Sequence, residues 1–480
     1  MLFSFSHLEI TTMGSLRSVS SLLLTTAFLL AGHGLHMTFL PLRAVELGMS
    51  TLLVGLSGSA YFAGFLTGAL ITPRIIANVG HIRSFTALMA TFICSFLVLS
   101  LCDGGVLWIV VRFVLGTAMC GAYTVIESWL TAQTDPKAHG RVLSIYTVIV
   151  LASMALGQYL LNLTDNNPLH PFILVSLMVG LAIIPVSLTR SPAPAPVPAT
   201  RFSFSKLYRR SHTAFAGALG SGLIMGSFWA LGAVYVLGLT NDPSFVPWFI
   251  AANIVGGALA QYPIGVASDR IDRRHVLTFL CVACCGTALA LSQATEQTTL
   301  LWCSAAFGAA GNSLYAVSLA KAADNSKPDE FVMLGSSALL LNALGASGGA
   351  LVFGFAIRWL GNESLFIAVG LASLLFGVFM SLQPRGKTAV ATEEQSEFVG
   401  TTSAMAPIAL QQDPRSSEST KDATPEDYES ENTEQNSTSG CGMTLDSSEK
   451  MTAWRSPDCH GGHTVKSLPL GSPWVIKPCQ

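Results

Sequence analysis

Twelve apolar stretches, each about as long as the 20 residues or so that a helix needs to cross a bilayer, dominate this chain of 480 residues. They run over Val19 to Leu40, Leu52 to Thr72, Ser84 to Leu101, Val106 to Leu130, Val142 to Leu163 and Pro171 to Leu188. A second set covers Thr213 to Leu239, Val246 to Ala267, Val276 to Ser292, Leu300 to Ala320, Val332 to Ile357 and Ser364 to Leu382. Backbone N–H and C=O groups in hydrocarbon must be paired within their own segment, so stretches of this length are read as helices. The first is too long for a signal-peptide core, holds His33 and His36 and has no small-residue cleavage site before Pro41; it is expected to be a retained helix. Only 11% of the residues are charged, against about 25% in soluble domains.

The charges are unevenly placed. Up to Lys387 the chain carries 20 Lys and Arg against 14 Asp and Glu, whereas the remainder carries 6 against 14. Alternate loops collect Arg17, Arg74, Arg83, Lys137, Arg141, Arg190, Arg201, Lys206, Arg209, Arg210, Arg270, Arg273, Arg274, Lys321, Lys327, Arg385 and Lys387 on one side, with Arg43 and Arg358 on the other. Seventeen against two predicts that both termini are cytoplasmic. The body is thus a basic integral membrane protein, and 388–480, rich in Glu, Ser, Thr, Gln and Asn, is expected to be a disordered acidic tail. Cys459, His460 and His463 in that tail, and the Cys281, Cys284 and Cys285 cluster, are read as neither metal sites nor disulfides.

A proline-rich segment from Arg190, followed by the basic run Lys206 to Arg210, divides the spans into six and six. The domains expected are therefore 1–189 and 213–387, each a six-helix bundle, with 190–212 as a cytoplasmic linker. Sliding one half over the other by 192 residues pairs Gly34 with Gly226, Gly64 with Gly256, Gly116 with Gly308, Tyr123 with Tyr315 and Gly157 with Gly349. This points to two parallel repeats that rock about a midplane site.

Between the eighth and ninth stretches stands Gly265-Val-Ala-Ser-Asp269-Arg270-Ile-Asp272-Arg273-Arg274. An acceptor carboxylate beside an arginine cluster at a helix junction can hold one conformation closed through charged hydrogen bonds and release it when they part. The first-half copy, Gly68 to Arg83, lacks the aspartate. Buried ionisable groups in spans ask for a reason, because each costs about 2.5–3.5 kcal/mol at the centre on insertion scales. His33 and His36 share one face of the first span, placed roughly 6–11 Å below its outer end at about 1.5 Å per residue. Arg112 enters the fourth span from the same side and Glu127 lies near its other end. Each has an ordinary reading as well: a histidine bonded to a neighbouring helix, an arginine reaching outward to water. Glu127 suits either proton exchange or a latch to Arg74, Arg83 or Arg141. Tyr123, Tyr315, Trp229, Tyr235 and Asn312 are candidate solute contacts or helix packing.

The Gly-x-x-x-Asp-Arg-x-Asp-Arg-Arg run resembles the signature of the major facilitator superfamily, and Arg112-Phe-Val-Leu-Gly116 resembles that family's second motif. Val125-Ile-Glu127-Ser128, Gly140-Arg141, Tyr146 and Gly157-Gln158 resemble its YcaD-like branch. The resemblance covers Val19 to Leu382 and implies an all-α membrane protein of twelve transmembrane helices in two pseudo-repeats, with spans one, four, seven and ten lining a central cavity. It places His33, His36 and Arg112 around the outer half of that cavity and implies a secondary transporter of a small organic solute, proton-coupled, in the inner (plasma) membrane. Its partners are then lipid, solute and protons, not nucleic acid, and it acts as a monomer without cofactor or metal. A membrane sensor signalling through the tail and an uncoupled facilitator or lipid flippase are the alternatives. No Gly-x-x-x-x-Gly-Lys-Ser/Thr phosphate loop occurs, so ATP-driven transport and enzymatic activity are not expected.

Overall fold

The computed structural model describes residues 2–134, 139–164, 167–189, 202–326 and 330–383, with the backbone alone for 2–18, 139 and 140. The proline-rich segment and the acidic tail, with Cys459, His460 and His463, lie outside the described residues. Among the described residues, six helices form the first half: α1 (Leu2–Glu46), α2 (Thr51–Val79), α3 (His81–Val98), α4 (Gly105–Gln133), α5 (His139–Leu161) and α6 (His170–Ser187). Seven follow: α7 (Phe204–Arg210), α8 (His212–Thr240), α9 (Val246–Arg270), α10 (Arg273–Gln293), α11 (Gln297–Asp324), α12 (Phe331–Leu360) and α13 (Ser364–Leu382). Twelve are long and apolar enough to cross a membrane, and each of the twelve stretches coincides with one of them. The chain is an all-α integral membrane protein.

The repeat is visible in the helix starts. α3, α4 and α5 begin at His81, Gly105 and His139, and α10, α11 and α12 begin at Arg273, Gln297 and Phe331, each 192 residues later. The paired glycines explain why the offset shows in the sequence. Gly64 lies against the Phe113 carbonyl and Gly116 against that of Tyr61, where α2 crosses α4; Gly256 lies against Ala305 and Gly308 against Asn253, where α9 crosses α11. Gly157 on Ala31 and Gly349 on Leu223 repeat the relation for α5 with α1 and α12 with α8. In lipid no hydrophobic force drives helices together, so close backbone approach at small residues supplies the packing. A β-carbon at these sites would meet a main-chain atom, and the same crossing recurs in both halves with the same residue.

Two differences from the sequence reading bear on the site. The first span does not end at Leu40: α1 continues through Pro41 to Glu46, a span of 28 residues from Val19. His36 and His33 therefore lie about 15 and 20 Å from the end of the helix, at mid-depth and not in an outer half-cavity. The linker also carries a helix, α7, capped by the Ser203 hydroxyl, which accepts from the Lys206 amide at 3.2 Å. Lys206 and Arg210 reach Glu330 at 2.7 and 3.0 Å, and the Ser203 amide donates to the Ser337 hydroxyl at 2.8 Å. The hydrogen bond from Lys206 and the charge of Arg210 hold the Glu330 carboxyl below the usual carboxylate range, which fixes this end of the linker to the second half.

The halves meet away from the linker, toward the ends of α1 and α2 joined at residues 47–50. There Gly55 packs on the Ala350 carbonyl and the Gly354 backbone, the Ser59 and Ser347 hydroxyls are 3.0 Å apart, and Asn162 donates to the Ser244 carbonyl at 3.1 Å. Tyr159 stands edge-on to Trp248 with ring centres 5.7 Å apart.

Candidate functional site

Between the halves, at mid-depth, lies a cavity of about 110 Å³. α1, α2, α4 and α5 give one wall, with His33, Tyr61, Tyr123 and Met154; α8, α9, α11 and α12 give the other, with Trp229, Gln261, Asn312 and Asn342. Of the residues singled out in the sequence, His33, Tyr123, Trp229 and Asn312 line it. Among the described lining residues none is acidic and none is Lys or Arg.

Immediately behind His33 sits the buried group that contains Arg112. The guanidinium is 1% exposed, lies over the Tyr61 ring at 4.7 Å and donates from Nη1 toward His36 Nε2 at 3.4 Å. His36 is fully buried, and its Nδ1 is 2.9 Å from the His33 carbonyl oxygen. A carbonyl accepts only, so the proton of neutral His36 is on Nδ1 and Nε2 offers its lone pair to Arg112. The two imidazole centres are 5.0 Å apart. No carboxylate among the described residues forms an ion pair with Arg112. His33 Nδ1, the Tyr61 and Tyr123 hydroxyls and Arg112 Nε have no hydrogen-bond partner among the described residues. Arg112 thus faces inward, not outward along its helix.

The other wall holds amides. Asn312 donates to Asn253 Oδ1 at 3.2 Å, and Asn342 donates to the Ala218 carbonyl and the Ser221 hydroxyl, both at 3.2 Å. Tyr235 does not join the cavity: its hydroxyl donates to the Leu291 carbonyl at 2.9 Å and its ring packs on Phe366. Tyr315 is buried among residues of α7, α8 and α12 and does not line the cavity either. Glu127 is fully buried and accepts from the Tyr146 hydroxyl at 2.9 Å. None of the described ion pairs joins it to Arg74, Arg83 or Arg141. Gln158 donates to the Gly34 carbonyl at 2.7 Å and accepts from Thr38, stitching α1 to α5 beside their glycine crossing.

At the linker end the charged motif turns into its own half. Arg273, fully buried, donates to Ser268 at 3.2 Å, the Ala320 carbonyl at 3.0 Å, Asp269 at 3.0 Å and Asp324. Arg274 donates to the Met380 carbonyl at 2.9 Å and to the Ser381 carbonyl. Asp272 caps α10, accepting from the Arg274 amide at 2.9 Å, with Lys321 at 3.4 Å. Burial pushes its carboxyl up, and the amide and the ammonium outweigh that to hold it below the usual range. Gly265 is buried one turn before Asp269, whereas Arg270 and the first-half Arg83 are exposed. The sequence reading missed Asp324, Tyr61, Asn253, Gln261 and Asn342; for Asp324 the signal was an acid in the short stretch between the tenth and eleventh spans.

The fold, the repeat and the motif agree with the comparisons. The model of the Major Facilitator Superfamily matches residues 22–241 and 214–418. The chain belongs to the major facilitator superfamily. The MFS-type transporter YcaD of Escherichia coli O7:K1 is 28% identical over 354 residues, 73% of this chain and 91% of that one. YcaD of Salmonella arizonae is 26% identical over the same length and shares. Among solved structures, the nucleoside transporter NupG has a TM-score of 0.62 at 12% identity, over 76% of this chain and 98% of its own. A bacterial homologue of the human lysosomal transporter Spinster, inward-facing and unoccupied, has 0.60 at 14%, over 86% and 99%. The protein is a membrane transporter of the YcaD-like branch and not an enzyme.

Proposed function

We propose that this transporter is secondary and active, moving a small organic solute by alternating access and coupling it to protons through His33 and His36. The observation that carries the reading is one cavity at the interface of two repeats, with one end closed by helix contacts, the His33 imidazole at its wall and the buried His36 imidazole behind it. Under the charge asymmetry of the loops the linker end faces the cytoplasm of a plasma (inner) membrane, so the end closed by these contacts is the outer one. A reporter active only in the cytoplasm is then expected to work when fused after Lys387 and to fail near Asp242; the reverse would invert every depth assigned above.

The tautomer of His36 suggests how a proton would be felt. Protonation at Nε2 removes the lone pair that accepts from Arg112 and sets two positive charges side by side. The groups facing the two imidazoles are Tyr61 on α2 and Arg112 and Tyr123 on α4. Neither His36 nor Glu127 lines the cavity; His36 is favoured because it bonds to the carbonyl of the lining His33, whereas Glu127 accepts from Tyr146. Solute profiles of cells with and without the protein, taken before and after collapse of the proton gradient, test the reading. A solute should accumulate only with both protein and gradient, and His36→Gln should reduce that accumulation to equilibration. Protein-dependent differences that persist without the gradient would leave an uncoupled facilitator.

A further inference from the structure

Resting on that reading, we propose that the solute is a small organic monocarboxylate whose acid group is held on the α1–α2–α4 wall, its apolar body lying against Trp229 on α8. Arg112 is a buried cation with no described counter-charge, a state costing several kcal/mol unless compensated. The packing does not require it. The positions 192 residues on from His33, Tyr61 and Arg112 are Met225, Asn253 and Ser304, and at that crossing Asn253 and Ser304 satisfy one another's helices through neutral hydrogen bonds at 3.4 and 2.7 Å. The same helix crossing is therefore built in the second half without a charge, so the guanidinium is an addition to one wall.

Around that charge, His33 Nδ1 and the Tyr61 and Tyr123 hydroxyls are unpartnered among the described residues, and their side chains line the cavity. Two hydroxyls and an imidazole can donate to one carboxylate, with the guanidinium supplying the field behind them. One cation without a second beside it matches one negative charge better than a phosphate dianion. The absence of an acidic lining residue among those described leaves a cationic solute without a partner. The neighbouring proton adds to the preference: when His36 is charged, a bound carboxylate offsets its repulsion with Arg112, so proton and anion bind more tightly together than apart.

Calorimetry on the purified full-length chain with benzoate, benzamide and benzylamine, and with hexanoate, hexanamide and hexylamine, tests this. A charge-assisted hydrogen bond should favour each carboxylate over its amide by about tenfold or more, with the amines weakest. Arg112→Gln should bring carboxylate and amide to near parity. Tyr61→Phe, which keeps the ring under the guanidinium, should weaken the carboxylates severalfold and leave the amides unchanged, and it reports even if Arg112→Gln does not fold. Equal affinity across either series, stronger binding of an amine, or no binding by any probe would overturn the assignment. Carboxylate-selective binding without gradient-driven accumulation would instead leave this inference standing and remove the coupling proposed above.

Discussion

Asp324→Asn is expected to lower the thermal stability of the purified protein more than Asp269→Asn, the corresponding change at the motif's own aspartate. The side chains of Arg273 and Asp324 are both fully buried, and removing one partner of such a pair costs about 3–5 kcal/mol, reduced here because Asp269 still pairs with Arg273. Asp269, the motif's own aspartate, is 37% exposed, so water and ions already screen it. Asp269→Asn should cost only about 1 kcal/mol or less. Replacing both members, Arg273→Met with Asp324→Leu, removes both buried charges and should recover most of the loss seen in Asp324→Asn alone. Unfolding followed in detergent by intrinsic fluorescence compares the three. A larger loss from Asp269→Asn than from Asp324→Asn would reverse this assignment of the anchor. All partners of Arg273 and Arg274 named above lie on α9, α10, α11 and α13, which makes the motif in this state a brace inside the second half.

That brace shows where the sequence was legible and where it was not. Hydropathy records which residues face hydrocarbon, so each span was found; it says nothing of where a helix stops once outside. α1 therefore overran its expected end by passing through Pro41, and α2 continued past Thr72 and Pro73 to Val79. α7 was missed because seven residues carry too short a pattern. Scarcity found His33, His36 and Arg112, since ionisable groups are rare within spans. It gave no weight to Tyr61, Asn253 or Asn342, whose cost is met by ordinary packing and hydrogen bonds, and of the two readings open for Tyr235, solute contact and helix packing, the structure shows the second, a backbone carbonyl accepting from its hydroxyl. Asp324 looked like one more loop acid because nothing in the local sequence shows that Arg273, 51 residues earlier, will reach it. The glycine pairs were the best guide to tertiary structure, for they record close backbone contacts that each half must make separately.

One glycine outside those pairs governs contact between the halves, and Gly55→Leu is expected to open the end that is closed here. A β-carbon at Gly55 would lie 2.7 Å from the Ala350 carbonyl oxygen and 3.1 Å from the Gly354 α-carbon. Both obstacles are main chain, so no rotamer change relieves them, and α2 must move away from α12. Overpacking of this kind costs about 1–3 kcal/mol, but the cost falls only on the state in which these helices touch. A penalty confined to one of two states moves their ratio by roughly 5- to 150-fold while each half keeps its own fold. Spin labels at Leu163 and Leu360, exposed at the same end of the first and second halves, should report a longer distance in Gly55→Leu than in the parent. Gly104→Leu is the matched control, because Gly104 stands at the same end with open space around its α-carbon. If transport needs both states, Gly55→Leu should also lose gradient-driven accumulation while binding of a carboxylate persists. An unchanged label distance would mean that the Gly55 contact does not set the closure.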